Sequence, residues 1–446
     1  MPRALMASPP DRRTFISWYR RNRARSQAIF DLLTPDAYYS QPIALRHPIV
    51  FYEGHLPAFS FNTVVKKALG GSSIDAALER LFARGIDPHE QDPSGSAAFE
   101  WPARDVVRAF ADEADRRVLD ALEREDLVRP GHPLLDRSDA IHAILEHEAM
   151  HQETLLYMWH RLPFEQKRPP AGYTPRTAGS VPSRELVSVE GGRAALGVDR
   201  EAVAFAWDNE RPAHAANVPP FSIERHDVTN AAFLEFVESG GYRDQRWWAG
   251  EDWAWIRQES IQHPLFWERH DGAWFWRGMF ERLPLPPAWP VYVSLAEAKA
   301  YAAWRGCRLP TEAEFQRAAF GTPDGSPRTY PWGSDEPTSA RGVFDFSSWD
   351  PEPAGSHPAG ASAWGVEDLV GNGWEWTTTP FAPFAGFAAT PSYPEYSADF
   401  FDGEHFVMKG ASPATARELL RPSFRNWFRP RYPYVYATFR CVSERR

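Results

Sequence analysis

Between Lys167 and Ser183 the chain reads KRPPAGYTPRTAGSVPS, and the sequence obeys different periodicities on its two sides. Proline, glycine and hydroxyl residues at this density sustain neither a helix nor a central strand, so the stretch separates two bodies. Before it, apolar residues recur at helical spacing. They predict helices from Arg12 to Leu33, around His55, from Ile74 to Arg84, from Ala103 to Glu125, and through His147, with Ser138-Asp139 as the N-cap of the last. Together these predict an up-and-down four-helix bundle over residues 1–168, followed by a linker over 169–183. Beyond it, short apolar runs such as LVSVEGG, PFSIERHDVT and PVYVS are broken by Pro, Gly, Asn and Asp. Two helices stand out there, Asn230 to Ser239 and Leu295 to Trp304, and a third starts at Thr311, where Glu314 completes a capping box. The fold class is therefore multidomain α+β, and residues 184–446 form its loop-rich second domain.

At 446 residues the chain holds two or three domains, each large enough for its own core. Two cysteines, Cys307 and Cys441, cannot make a disulfide framework, and MPRALMASPPDRR lacks the apolar stretch of a signal peptide. A cytoplasmic location is expected. The net charge of -10 disfavours nucleic acid or an anionic membrane as the main partner. Arg417, Arg421, Arg425, Arg429 and Arg431 form a local basic cluster, read as a solvated surface or as a pocket wall with the aromatic residues among them. The 19 tryptophans predict a core of large flat side chains; aromatic walls also bind quaternary ammonium groups, at ~0.5–2 kcal/mol per contact.

The segment HEAMHQE, His147 to Glu153, sets two imidazoles four residues apart on an otherwise apolar helix. Residues at i and i+4 share a face, so His147 and His151 point the same way. A buried imidazole without a partner costs ~1–3 kcal/mol, and a shared metal ion is an economical reason for two of them. The third ligand indicated is His55, in a helix that Pro48 opens, Gly70-Gly71 end, and Pro57 is expected to kink. The competing reading makes each histidine a satisfied core residue. Glu153 reads either as a group orienting a ligand or bundle neighbour or as a partly exposed helix charge.

RLPTEAE (Arg308–Glu314), YPWG (Tyr330–Gly333), GNGWEWT (Gly371–Thr377) and the Phe439-Arg440-Cys441 ending resemble the formylglycine-generating-enzyme or sulfatase-modifying-factor fold, a C-type-lectin-like domain. The bundle with His55 and the His-x-x-x-His-x-Glu run is similar to the DinB-like family. Joined in this order, they resemble the non-haem iron enzymes that attach sulfur or selenium to hercynine: ergothioneine sulfoxide synthases and selenoneine synthases. Formylglycine chemistry itself is not expected. It needs a reactive cysteine pair near the C-terminus, and Cys307 stands far from Cys441 in the sequence, so both read as small core residues.

The resemblance implies that His55, His147 and His151 bind iron(II), leaving positions for a substrate imidazole, a chalcogen donor and O2 as co-substrate. It implies a tyrosine proton donor from SYPEYSADFFDG, Tyr393 ahead of Tyr396, and hercynine contacts from Asn426 and Trp427. Three departures bear on the donor. Phe428 and Tyr432 occupy positions where γ-glutamylcysteine-using relatives carry an aspartate and an arginine, although Arg429 or Arg431 could substitute. Met150 stands where a glutamine often touches hercynine, and GASP (Gly410–Pro413) replaces GGSW. An aromatic pair suits a sugar, so the expected substrates are hercynine and a selenosugar. The alternatives are a sulfoxide synthase using a thiol, a DinB-type zinc thiol transferase, and a noncatalytic lectin-like binding protein.

Overall fold

The computed structural model describes residues 11–83, 85 and 99–444; Arg84, the expected end of the third helix, lies outside them. The chain forms two compact units. The first runs to Tyr173 and also takes in Glu201–Phe205 and Thr390–Pro394. Its helices are α1 (Arg12–Phe30), α2 (Ile49–Ser60), α3 (Ala76–Leu81), α4 (Arg104–Arg124) and α5 (Asp139–Arg161). Asp11 caps α1 by accepting the Thr14 N–H at 2.8 Å. Phe15, Trp18 and Tyr19 of α1 meet Val118 and Leu122 of α4 and Ile141, Ile144 and Leu145 of α5 in one core.

Two local expectations change. Helix α2 runs through Pro57 and leaves α-geometry only at Phe61, where a π-helical stretch continues to Ala68 before Gly70 turns the chain at φ +72°. Ser138 sits in the left-handed region, and its hydroxyl donates to the Leu127 carbonyl instead of capping α5.

The second unit holds β1 (Leu186–Val189), β2 (Gly192–Leu196), β3 (His214–Val218), β4 (Phe221–Glu224), α6 (Asn230–Glu238), α7 (Gly250–Gln258), β5 (Trp267–His270), β6 (Ala273–Arg277), β7 (Arg282–Pro284), α8 (Leu295–Arg305), α9 (Glu312–Phe320), β8 (Gly373–Pro380), the short α10 (Glu395–Ala398), β9 (Phe406–Ala411), β10 (Asn426–Phe428), β11 (Ala437–Thr438) and β12 (Val442–Glu444). Its sheets are small: β1-β4-β12, β10-β9-β8-β11, β2-β3 and β5-β6-β7. Helix α7 escaped sequence reading because three of its nine residues are glycine, tryptophan and tryptophan, none of which signals a helix. Trp207, Trp267, Trp276, Trp289, Trp374 and Trp376 are fully buried, as a core built on flat side chains requires.

The sequence motifs of this unit are structural. Thr311 and Glu314 form the capping box of α9, and Glu314 also holds Arg308. Glu375, between the two tryptophans of β8, is paired with buried Arg440. The basic cluster is only partly a solvated surface: Arg417 and Arg429 are exposed, but Arg425 pairs with Glu312, Arg421 with Glu210, Arg417 with Asp345, and Arg431 with Glu251 and Asp252. Nor are the cysteines apart. The antiparallel Arg308–Val442 backbone pair brings the Cys307 thiol into hydrogen-bonding reach of Cys441, which with burial pushes the Cys441 thiol up.

Candidate metal centre

All three predicted histidines converge. Helix α2 supplies His55 and α5 supplies His147 and His151, all buried, with one ligand nitrogen from each inside a 4.8 Å cluster. The His151 Nε2 lies 3.3 Å from His55 Nε2 and 3.1 Å from His147 Nε2. His55 Nδ1 is 2.7 Å from the Phe82 carbonyl, which can only accept, so that nitrogen carries the proton and Nε2 presents a lone pair inward. One proton on His151 Nε2 could serve only one of its two neighbours. The cluster is thus short of donors and rich in lone pairs, and the ring nitrogens stand at the spacing of neighbouring ligands about one ion, since metal–nitrogen bonds of ~2.0–2.1 Å subtending ~90–110° separate two nitrogens by ~3 Å. The residues fit a metal.

Electrostatics agree. Burial lowers His55 to about 4, against the opposing hydrogen bond to Phe82. Burial, followed by the neighbouring imidazoles, holds His147 well below the ordinary histidine range; burial, then His55 and Arg46, does the same for His151. Neutral imidazoles are the ligating form. Beside them, Glu148 accepts from Arg23 and Ser26 at 2.8 and 2.6 Å, and burial raises its carboxyl.

A pH dependence follows. In the unfolded chain these histidines take up protons below about pH 6.5, whereas in the metal-free folded chain they do so only at much lower pH. The histidines' contribution to stability is therefore constant above that value and falls as pH drops towards 4, with His55 accounting for up to about 3 kcal/mol at ~1.4 kcal/mol per pH unit. Thermal unfolding of the metal-free chain between pH 7.5 and 5 should show this. The loss should shrink in the His147→Leu/His151→Leu variant, and a gap between the two proteins that is constant with pH would contradict it.

Aromatic rings surround the ligands. Phe51 stacks on His55 with centroids 4.9 Å apart, and Phe59 stacks on His147 at 3.5 Å and 9°. Tyr393 belongs to the same unit, its ring 6.0 Å from His147 and 5.2 Å from Phe59. Tyr396 belongs to the second unit, where it stacks on Trp207 at 4.0 Å and meets Trp427 edge-on at 5.2 Å. Glu153 is buried, more so than its reading as a partly exposed charge expected, and Met150 is half-buried just ahead of His151. Sequence reading missed Phe51, Phe59 and Glu148. The i±4 spacing of both phenylalanines about His55 was the available signal.

In the second unit, Asn426 and Trp427 lie on β10, where the Asn426 side chain accepts the Trp427 N–H. Trp427 stacks on Phe381 at 4.2 Å and 5°. Phe428 and Tyr432 stack at 5.2 Å and 12°, and Tyr434 meets Tyr432 edge-on. Arg429 is exposed. Arg431 bonds to Glu251 and Asp252.

A buried three-histidine cluster on a helical bundle, carried by a chain with a loop-rich α+β second unit, is a site able to hold a metal ion. Residues 19–155 match the DinB superfamily, and residues 173–445 match the sulfatase-modifying factor enzyme 1-like domain. The chain is 40% identical over 380 residues to hercynine oxygenase of Mycolicibacterium thermoresistibile, covering 83% of this chain and 80% of that protein. It is 38% identical over 415 residues to hercynine oxygenase of Mycolicibacterium smegmatis, covering 82% and 94%. Ergothioneine biosynthesis protein 1 of Schizosaccharomyces pombe is 28% identical over 458 residues, 93% of this chain and 54% of that protein. The chain belongs to the hercynine oxygenase family and is an enzyme.

Proposed function

We propose that this enzyme binds iron(II) through His55, His147 and His151 and uses dioxygen to join a chalcogen donor to the imidazole of hercynine. The observation that carries the reading is the convergence of three neutral, buried imidazoles beside a tyrosine, in a chain that aligns with hercynine oxygenases over most of its length. When bound, iron supplies the binding and activation of oxygen. The protein's part is to hold the ligating nitrogens unprotonated and to exclude water. Tyr393 is the proton donor in this reading: its ring packs against Phe59 and His147, and a phenol can release a proton where oxygen is reduced. Tyr396 serves packing, between Trp207 and Trp427. Asn426 and Trp427 contact hercynine, the indole face suiting its trimethylammonium group.

The donor we favour is a selenosugar. The parallel Phe428–Tyr432 pair offers an aromatic face, and Arg431 is paired with Glu251 and Asp252; Arg429 is exposed, so the preference rests on the aromatic face and not on the want of a cation. A thiol donor is the second reading, supported by the identity to hercynine oxygenases.

The test is oxygen uptake and product analysis with hercynine plus, in turn, a selenosugar, a thiosugar, cysteine and γ-glutamylcysteine. Uptake should require iron(II) and hercynine and be fastest with the selenosugar. Tyr393→Phe should divert turnover from bond formation to oxidation of the donor. Highest efficiency with a thiol would replace the donor assignment, and unchanged product ratios in Tyr393→Phe would move the proton donor elsewhere.

A further inference from the structure

We infer that Phe59 is a positioning residue for the metal centre, whose phenyl face fixes the ring plane of His147 and favours its metal-bound state. The inference rests on the three-histidine reading above.

Ligand histidines are ordinarily oriented by a hydrogen bond from the ring nitrogen that does not touch the metal. His55 follows this rule through Phe82. His147 and His151 do not: the Nδ1 of each is buried and meets no hydrogen-bond partner among the described residues, but where His151 has, outside the triad, only a tilted ring contact with Tyr52, a flat stack distinguishes His147. What it has is Phe59, with centroids 3.5 Å apart and planes within 9°. That geometry is unusual for two neutral rings, which prefer offset or edge-on contacts at ~4.5–7 Å because their negative faces repel. It becomes favourable when one ring is electron-poor, as an imidazole is once its Nε2 lone pair is donated to a cation, because a phenyl face attracts positive charge. The stack therefore discriminates between the free and the ligated histidine, which packing alone does not.

Position on the chain supports the assignment. Phe59 lies four residues after His55 on α2, so one helix delivers a ligand and, a turn later, the plate that flattens against the ligand of another helix. Phe59 is half-buried at the margin of the bundle core it packs against, so leucine there keeps apolar contact with that core while removing the ring face. Tyr393 meets Phe59 at 5.2 Å and 62° and His147 at 6.0 Å and 71°, so the phenol packs against the edge of this stack and touches both rings.

The experiment is anaerobic titration of the full-length, metal-free chain with cobalt(II), read by visible absorption and by dissociation constant, for the parent, Phe59→Leu and Phe59→Tyr. Phe59→Leu keeps apolar bulk but removes the face. It should weaken cobalt binding by about 10–100-fold, the range for losing an orienting partner, and alter the ligand-field bands, with the metal-free Tm little changed. Phe59→Tyr restores the face and should restore both. If Phe59→Leu is poorly folded, Phe59→Met makes the same comparison. Parental affinity and spectrum in the leucine or methionine variant would overturn the inference, as would a tyrosine variant as weak as the leucine one. Failure of the parent to bind cobalt through the histidines would instead sink the metal reading.

Discussion

His151→Ala is expected to abolish metal retention and hercynine-dependent oxygen uptake together, and to leave the bundle folded. His151 is the central member of the triad, its Nε2 3.3 and 3.1 Å from the two other ligand nitrogens. Removing it leaves two imidazoles too few to complete a facial set, so the affinity loss should exceed the ~10–100-fold that follows from losing an outer partner. Folding should survive, because a buried neutral histidine contributes no ion pair and its replacement removes a group that resists burial. The measurement pairs metal content after anaerobic loading with an oxygen electrode trace and a thermal scan. Full metal content with no turnover would assign His151 to substrate and not to metal. Undiminished turnover would dissolve the triad.

The triad was legible because its signal is local: His147 and His151 share a helical face whatever the rest of the chain does, and His55 lies in a helix whose start and stop residues are explicit. The capping box at Thr311 and Glu314 was legible for the same reason. What failed to show were contacts between segments remote in sequence. Cys307 and Cys441 look unrelated until the Arg308–Val442 backbone pair sets them together. The arginines from Arg417 to Arg431 look like a basic surface because the carboxylates that pair with most of them, Glu210, Asp252, Glu312 and Asp345, are supplied by segments distant in sequence. Phe59 reads as one more apolar helix residue, since nothing in its neighbours announces that His147 lies flat against it. The placement of Thr390–Pro394, with Tyr393, in the histidine-bearing unit is likewise a long-range event, which no periodicity within SYPEYSADFFDG encodes.

Arg440→Met should be the most damaging single change in the second unit, and its damage should depend on pH. Arg440 is fully buried and spends its whole donor fork: two bonds to Glu375 at 2.6 and 2.8 Å, one to Asp227 at 3.1 Å, and others to the carbonyls of Glu224, Arg225 and Glu367. Burial pushes the Glu375 and Asp227 carboxyls up even with the guanidinium opposing it. Methionine would fill much of the volume and leave two carboxylates unpaired in the core, a loss of about 3–5 kcal/mol for breaking a buried pair. At ~2–4 °C per kcal/mol for a unit of this size, the unfolding transition should fall by roughly 6–20 °C. The sign of the pH effect separates this account from a simple packing defect. With the arginine gone, both carboxyls are held neutral in the folded state well above their unfolded values, so their contribution is intact at low pH and is lost as pH rises through the folded pKa. The gap in Tm between variant and parent should therefore be smaller at pH 5 than at pH 8. Arg440→Lys, which returns the charge without the fork, should recover only part of the loss at both. A gap that is the same at the two pH values would mean that Arg440 holds the sheet by shape and by its carbonyl bonds, and that its charge contributes nothing to the pairing of β8 with the C-terminal segment.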